Sequence, residues 1–137
     1  WSPEDMSRQP SLNSNRLQLS DQQASTALRV AIKILQLWGV LEQEQSVILG
    51  FNRKNLTEDQ MQSALSKDQL SHISLILDIH ATLRSVFSNP ANQHGFMRMR
   101  NNNSFFNGRT PMEIIGSGEL KDLYETWHRI KSLEQPM

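Results

Sequence analysis

The feature that most limits what this chain can fold into is a helix-start signal that occurs four times. In each case a Ser or Thr is followed three residues later by Gln or Glu, and an apolar periodic segment comes next. This is the pattern of a capping box at a helix N-terminus. The four pairs are Ser20 with Gln23, Thr57 with Gln60, Ser66 with Gln69, and Thr110 with Glu113. The signals predict helices from residue 20 to near the end of the chain.

The apolar residues between these signals recur with the period of helices. The last predicted helix, for example, carries Leu120, Leu123, Tyr124, Trp127 and Ile130 on one face. No segment alternates with a period of two for long enough to form a strand, so we predict an all-α fold. Before this last helix, the predicted helices cover about 21–38 (ending at Gly39), 42–49 (ending at Gly50), 67–87, 90–99 and a brief stretch that follows Thr110 and ends at Gly116.

The long helix predicted over 67–87 is expected to lie at the centre of the fold. Its polar residues form one narrow strip and the rest of its surface is nearly all apolar, so we expect only the strip to face solvent. The strip consists of Ser71, Ser74, Asp78, Thr82 and Ser85. His72, His80 and Arg84 fall in the apolar sector. We expect these three side chains to be hydrogen-bonded at a helix–helix or subunit interface.

Composition favours a protein that binds other macromolecules over an enzyme. The chain has no cysteine, and 14 basic residues balance 14 acidic ones. No apolar run approaches the ~20 residues that span a membrane, and no signal-peptide pattern opens the chain, so a cytoplasmic location without membrane contact is expected. The four histidines are scattered and form no HExxH motif. We therefore predict no catalytic residues, no metal ligands and no cofactor.

A helix–turn–helix is the first candidate for a binding site, between Glu42 and Met61. Gly50 supplies the turn, Ser46 is the small residue where two helices cross, and Leu56 is the first apolar anchor of the second helix. The residues that would open the recognition helix and contact DNA are Asn52, Arg53, Lys54 and Asn55. Gln45 at a position that is usually apolar disagrees with this prediction, as does the acidic pair Glu58 and Asp59. The alternative is a plain loop from Asn52 to Leu56 between core helices.

The C-terminal third carries the most specific motif. The sequence FFNGRTPMEIIGSG, followed by an amphipathic helix, resembles the toxin-binding domain of the Xre/MbcA/ParS family of bacterial antitoxins. The matching positions are Phe106, Gly108, Arg109, Thr110, Pro111, Met112 and Gly118. Upstream, LSKDQLSHISLILDIHATLRSVFSNP resembles the central helix of that family, although His80 stands where Tyr is common. The segment from Phe96 to Asn101 also departs from the usual Trp followed by Arg-Pro-Asn.

The chain divides into three regions, the first predicted from its composition and the other two implied by the resemblance. Residues 1–19, which include Pro3 and Pro10, form a flexible or loosely docked tail. Residues 20–65 form an Xre-like helix–turn–helix region. Residues 66–137 form the long central helix and a small helical domain that binds the toxin and dimerises.

The function implied by the resemblance is that of an antitoxin in a type II toxin–antitoxin system. In similar proteins the C-terminal domain blocks a cognate toxin, often a RES-domain enzyme that degrades NAD. The helix–turn–helix represses the shared promoter as part of a homodimer. The residues expected to bind the toxin or to dimerise are Phe105, Phe106, Gly108, Arg109, Tyr124 and Trp127.

The residues themselves leave alternatives open for this region. One of Phe105 and Phe106 is expected in the core and the other in a contact. Arg109 either holds its own loop by binding carbonyl oxygens or reaches an acidic residue of a partner. No acid occurs between Asp78 and Glu113, whereas four arginines do, which predicts either a solvated surface or a basic face. The four are Arg84, Arg98, Arg100 and Arg109.

Two other functions remain open at this point. One is a solitary helix–turn–helix transcriptional regulator without a toxin partner. The other is a structural dimer or scaffold whose helix–turn–helix is degenerate.

Overall fold

The computed structural model describes residues 21–51, 65–101 and 105–134, and within these ranges the fold is built from helices. The helices are α1 (Asp21–Leu37), α2 (Glu42–Ile48), α3 (Lys67–Val86), α4 (Pro90–Phe96), α5 (Pro111–Ile115) and α6 (Leu120–Lys131), followed by a 3₁₀ turn (Ser132–Glu134). The described residues contain no strand, only an isolated antiparallel bridge between Asn101 and Arg109. The all-α prediction is confirmed. None of the helices in these ranges is both long enough and apolar enough to cross a bilayer.

Helix α3 lies at the centre, as its composition predicts, and contacts α1, α4 and α6. It begins at a complete capping box, in which the Gln69 amide donates to Ser66 Oγ at 3.1 Å and the Ser66 amide donates to Gln69 Oε1 at 2.9 Å. Its isoleucines at 73, 76 and 79 are almost wholly removed from solvent. They pack against α1 and the residue that follows it, where Leu28, Leu35 and Trp38 are fully buried.

The polar strip of α3 does not face solvent along its whole length, which corrects the prediction. Thr82 is only 6% exposed, because α6 packs over this part of α3. Its hydroxyl accepts a hydrogen bond from Trp127 Nε1 at 3.2 Å. Arg84 is exposed in the single chain, so it does not lie at a helix–helix interface, and the subunit-interface alternative stays a prediction.

The second confirmed capping box begins α5. The Glu113 amide donates to Thr110 Oγ1 at 3.0 Å and the Thr110 amide donates to Glu113 Oε1 at 2.8 Å. Pro111 occupies the first helical position, where no N–H is required. The Met112 amide then donates to the Met97 carbonyl oxygen at 3.0 Å, which attaches α5 to the segment after α4. The other two predicted capping boxes, Ser20 with Gln23 and Thr57 with Gln60, and the predicted tail over 1–19 lie outside the described residues.

Candidate protein-interaction site

The loop that carries the most specific motif is closed by its own backbone. Asn107 and Gly108 both have positive φ, at 51° and 83°, so the chain reverses direction there. The Gly108 amide donates to the Asn101 carbonyl oxygen at 2.8 Å, and the Asn101 amide donates to the Arg109 carbonyl oxygen at 3.1 Å. A glycine at 108 meets the left-handed conformation without steric cost. Residues 105–109 therefore form a defined turn.

Two arginine side chains hold this turn by hydrogen bonds to its backbone carbonyl oxygens. Arg109 donates from Nε to the Phe106 carbonyl oxygen at 3.0 Å and from Nη2 to the Phe105 carbonyl oxygen at 3.2 Å. Arg100 donates from Nη1 to the Gly108 carbonyl oxygen at 3.0 Å. Hydrogen bonds with a charged donor are stronger than neutral ones. The first alternative for Arg109, that it holds its own loop, is confirmed.

The two phenylalanines of the motif have different environments. Phe106 is 1% exposed, so it anchors the turn in the interior and offers no surface to a partner. Phe105 is partly exposed and meets Phe106 edge to face, with ring centroids 5.0 Å apart. The guanidinium carbon of Arg129 lies 5.3 Å from the centroid of the Phe105 ring. The prediction that one ring belongs to the core is confirmed for Phe106, and Phe105 remains the candidate for a contact.

Tyr124 and Trp127, the other predicted contact residues, lie on α6 and differ in exposure. Tyr124 is 48% exposed, and its ring centroid lies 5.7 Å from that of Trp127 and 6.1 Å from that of His128. Trp127 is held by its hydrogen bond to Thr82 and is partly covered by Lys131, whose Nζ lies 5.8 Å from the ring centroid. Tyr124 is therefore available to a partner, whereas Trp127 mainly supports it.

Exposed basic residues accompany Tyr124 along α6. Lys121, His128 and Lys131 are all exposed, and their spacing from Tyr124 places them on the same side of the helix. We call the group Lys121, Tyr124, His128 and Lys131 the Tyr124 surface. Lys131 is paired with Glu134 at 3.2 Å, so among the described residues Lys121 is the unpaired lysine beside Tyr124. A tyrosine flanked by a lysine and a histidine suits a partner surface that is partly apolar and carries an acidic group.

The structure does not unite the predicted contact residues into one patch. Arg129, which covers Phe105, follows Tyr124 by five residues on α6. At 3.6 residues per turn this separation rotates a side chain by about 140° around the helix axis. The turn with Phe105 and the Tyr124 surface therefore lie on different sides of α6 and form two separate candidate surfaces.

A cleft of about 590 Å³, which the sequence does not reveal, lies between α2 and the C-terminal motif. Its apolar lining includes Val47, Ile48 and Met112, and its charged lining is Glu44, Arg98, Arg100 and Glu113. The backbone hydrogen bond from Thr110 lowers the pKa of Glu113, and Arg100 and Arg109 make smaller contributions in the same direction.

Gly118 lies close to Val47 of α2. Its φ is +76°, and a Cβ at this position would lie 2.7 Å from both Cγ1 and the carbonyl oxygen of Val47. A larger residue at 118 would therefore force α2 and the C-terminal segment apart. This contact and the positive φ explain why a glycine fits at position 118.

The acid-free stretch from Asp78 to Glu113 is largely structural. Arg98 donates from Nε to the Trp38 carbonyl oxygen at 2.7 Å and from Nη2 to the Gly39 carbonyl oxygen at 2.9 Å. Arg98, Arg100 and Arg109 all bind backbone carbonyl oxygens. For Arg100 and Arg109 a signal for this role was present in the sequence, since they flank an Asn-rich loop whose carbonyl groups need donors.

The first half of the predicted helix–turn–helix can be described. Helix α2 ends at Ile48, Gly50 has a φ of +82°, and the Phe51 amide donates to the Ser46 carbonyl oxygen at 2.8 Å. Gln45 is buried, and its Nε2 donates to the Val40 carbonyl oxygen at 3.2 Å, which explains how a polar residue is accommodated there. The predicted DNA-contacting residues Asn52, Arg53, Lys54 and Asn55 lie outside the described residues, as do Leu56, Glu58 and Asp59.

The histidines of α3 have different roles. His72 is buried, and its Nδ1 lies 2.9 Å from the Ile48 carbonyl oxygen, which confirms the predicted hydrogen bond at a helix–helix interface. His80 instead meets His94 of α4, with ring centroids 6.2 Å apart and planes within 3° of parallel. Burial lowers the pKa of His80, and Arg84 and His94 add to the effect. The spacing of the histidines in the sequence does not predict the contact between His80 and His94, because only the fold brings α4 beside this part of α3.

No family model matches the chain, and searches of curated proteins and of solved structures also gave no match.

Proposed function

We propose that this chain is the cytoplasmic antitoxin of a type II toxin–antitoxin pair and that it works by binding its cognate toxin. The observation that carries the proposal is the turn 105–110. There the motif residues Gly108, Arg109 and Thr110 build a rigid element that keeps Phe105 partly exposed beneath Arg129. The motif thus has a defined shape suited to recognition, which agrees with the resemblance on which the function rests.

The mechanism we propose is steric. The C-terminal region, by means of the turn and the Tyr124 surface, covers the active-site cleft of a RES-type toxin and prevents NAD from entering. Preformed surfaces bind with less loss of conformational entropy than flexible ones. Trp127 holds Tyr124 in place, and the bonds of Arg109 hold Phe105, so both contact residues are preorganised for a partner.

The test is co-expression with the neighbouring open reading frame, scored by growth and by co-purification. The antitoxin proposal expects that the neighbour is toxic alone, is silenced by this chain, and forms a stable complex with it. A neighbour that is harmless, or that does not associate, would overturn the proposal.

Two variants show which surface binds. A Lys121→Glu and Tyr124→Ala double variant probes the Tyr124 surface, and Arg129→Glu probes the turn. Lys33→Glu, an exposed position on α1, is the matched control and should leave binding unchanged.

A second candidate is a solitary transcriptional regulator, and the geometry around Gly50 favours it. The tight turn after α2, with Ser46 fully buried and Gly50 at positive φ, is what a helix–turn–helix needs at these positions. Such a protein is expected to bind DNA as a homodimer through Asn52, Arg53, Lys54 and Asn55. The double variant Arg53→Ala and Lys54→Ala should weaken DNA binding and reduce its salt dependence. Equal DNA affinity in the variant would exclude this form of recognition.

A further inference from the structure

The turn that carries the motif contains the one Asn-Gly pair of the sequence, Asn107 and Gly108. Asn107 is exposed to solvent and has a φ of 51°, and Gly108 follows with a φ of 83°. In such a pair the backbone nitrogen of the glycine can attack the side-chain amide carbon of the asparagine, because the glycine has no Cβ that hinders ring closure. The pair is therefore a chemically reactive position on the surface of the protein.

We propose that Asn107 is a site of spontaneous deamidation and that opening of this turn controls the rate of the reaction. The bond that forms joins the Gly108 nitrogen to Cγ of Asn107. The bond that breaks is Cγ–Nδ2, and ammonia leaves with the proton of the Gly108 amide. Water then opens the cyclic imide to an aspartate or an isoaspartate at position 107. Water is the only co-reactant, and nothing is oxidised or reduced.

The closed turn protects the nitrogen that must attack. The nucleophile is the deprotonated Gly108 amide, but this amide donates a hydrogen bond to the Asn101 carbonyl oxygen at 2.8 Å. A hydrogen bond of this kind stabilises the protonated form of the donor. On the other side of the pair, the Arg109 amide donates to the Phe106 carbonyl oxygen at 3.0 Å and restrains the backbone. In the folded chain the reaction must therefore wait until the turn opens locally.

The arginine side chains that hold the turn determine how often it opens. Arg109 donates to the carbonyl oxygens of Phe105 and Phe106, and Arg100 donates to that of Gly108. These bonds have charged donors and are stronger than neutral ones. When opening and closing are fast relative to the chemical step, the observed rate follows the population of the open form. A change that makes the open form about tenfold more frequent, which corresponds to about 1.4 kcal/mol, makes deamidation about tenfold faster.

The modification alters the turn permanently. Either product replaces a neutral amide with a carboxylate at an exposed position, two residues after Phe105. An aspartate can keep the positive φ of Asn107. An isoaspartate instead adds a methylene group to the backbone, which moves the Gly108 amide relative to the Asn101 carbonyl oxygen. The inference concerns the chemistry of the turn itself and does not rest on the proposed function.

The experiment incubates the full chain at mildly alkaline pH and follows it by mass spectrometry. The tryptic fragment 101–109 contains four asparagines, and its fragment ions locate the modified one. A sample taken at the start corrects for conversion during digestion. Asn107 should be the fastest of the four in urea, and it should react about tenfold or more slowly in the folded chain. Arg109→Gln should accelerate the reaction of the folded chain about tenfold, whereas Arg84→Gln, at an exposed arginine of α3, should not.

Three outcomes would overturn the proposal. Equal rates in the folded chain and in urea mean that the turn does not protect Asn107. An Asn107 that stays intact in urea means that the pair is not reactive. Equal acceleration by the Arg109 and Arg84 variants means that the turn does not control the rate. For an Arg109 variant that does not fold, the wild-type chain decides: below the unfolding transition, added urea must raise hydrogen exchange of the Gly108 amide and deamidation together, and exchange that rises alone rejects the proposal.

Discussion

The guanidinium of Arg98 lies directly over Gly39 and binds the two carbonyl oxygens that follow the end of α1, those of Trp38 and of Gly39 itself. The two residues are separated by 59 positions in the sequence. Gly39 has a φ of +83°, and a Cβ there would collide with the guanidinium. The glycine is thus required twice, for the left-handed backbone and for the space that Arg98 occupies.

Replacing Gly39 with Ala is therefore expected to lower the free energy of unfolding by about 1–3 kcal/mol, because the backbone is strained and the guanidinium must leave its acceptors. Urea unfolding followed by circular dichroism measures the change. Gly95→Ala is the control, because a Cβ at position 95 within α4 meets no heavy atom within 4 Å. That variant should be more stable by about 0.5–1 kcal/mol. Equal effects of the two substitutions would contradict the role given to Gly39.

Thr82→Val removes the acceptor of the Trp127 indole N–H while keeping the shape of the side chain. We expect a loss of about 1–3 kcal/mol, since the partly buried N–H is left unpaired. The control is Thr26→Val on α1, where an exposed hydroxyl only donates to the Gln22 carbonyl oxygen within its own helix. That change should stay within about 0.5 kcal/mol. A Thr82 variant as stable as the wild type would show that the hydrogen bond contributes nothing.

The two aromatic residues Phe106 and Tyr124 should separate folding from binding. Phe106→Ala is expected to cost about 3–5 kcal/mol, because it leaves a cavity beneath the turn. Tyr124→Ala should cost less than about 1.5 kcal/mol, the upper range for its aromatic contacts, while it weakens binding to a partner. Thermal unfolding of both variants, compared with co-purification of the neighbouring gene product, makes the distinction. A large loss of stability in the Tyr124 variant would assign that ring to the core.

Glu113 should make stability depend on pH in the acidic range. Its pKa in the folded state is lowered, chiefly by the hydrogen bond from the Thr110 amide. The stabilisation is therefore present above the ordinary carboxyl pKa of 4.5 and is lost as the pH falls through the lower folded-state pKa. Glu113→Gln should be less stable than the wild type at pH 7, and the difference should shrink toward pH 3. A difference that does not depend on pH would assign the effect to packing.

Much of the helix pattern could be predicted from the sequence, because the signals are local. Ser66 and Thr110 each cap a helix by accepting a hydrogen bond from the amide three residues later. Gly39 and Gly50 each follow a helix end and have a positive φ. Predicted and observed bounds differ by one residue for α1, α2 and α3. Helix α4 ends at Phe96, earlier than predicted, as the chain leaves it in a tighter turn in which the Met99 amide donates to the Phe96 carbonyl oxygen.

The features that sequence reasoning missed depend on contacts between distant segments. The helical periodicity predicts that Thr82 faces solvent, but α6 packs over it and buries it. The contact of His94 with His80, and that of Arg98 with Gly39, exist only because the fold brings distant segments together. The sequence does not show that Phe105 and Tyr124 belong to two separate surfaces, because their separation follows from the rotation of side chains along α6.

The contact between Gly118 and Val47 couples two parts of the chain that are distant in the sequence. It joins the turn after α5 to the end of α2, directly before the region predicted to read DNA. A partner that displaces Gly118 must therefore shift α2 or break the contact between Gly118 and Val47. Binding of a partner beside Gly118 and the position of α2 are then linked by one free energy of coupling. Such coupling is reciprocal, so a partner that shifts α2 changes binding beside Gly118 by the same amount. If the proposed toxin and the proposed operator bind at these two ends, the effect of each on the affinity of the other is one and the same quantity.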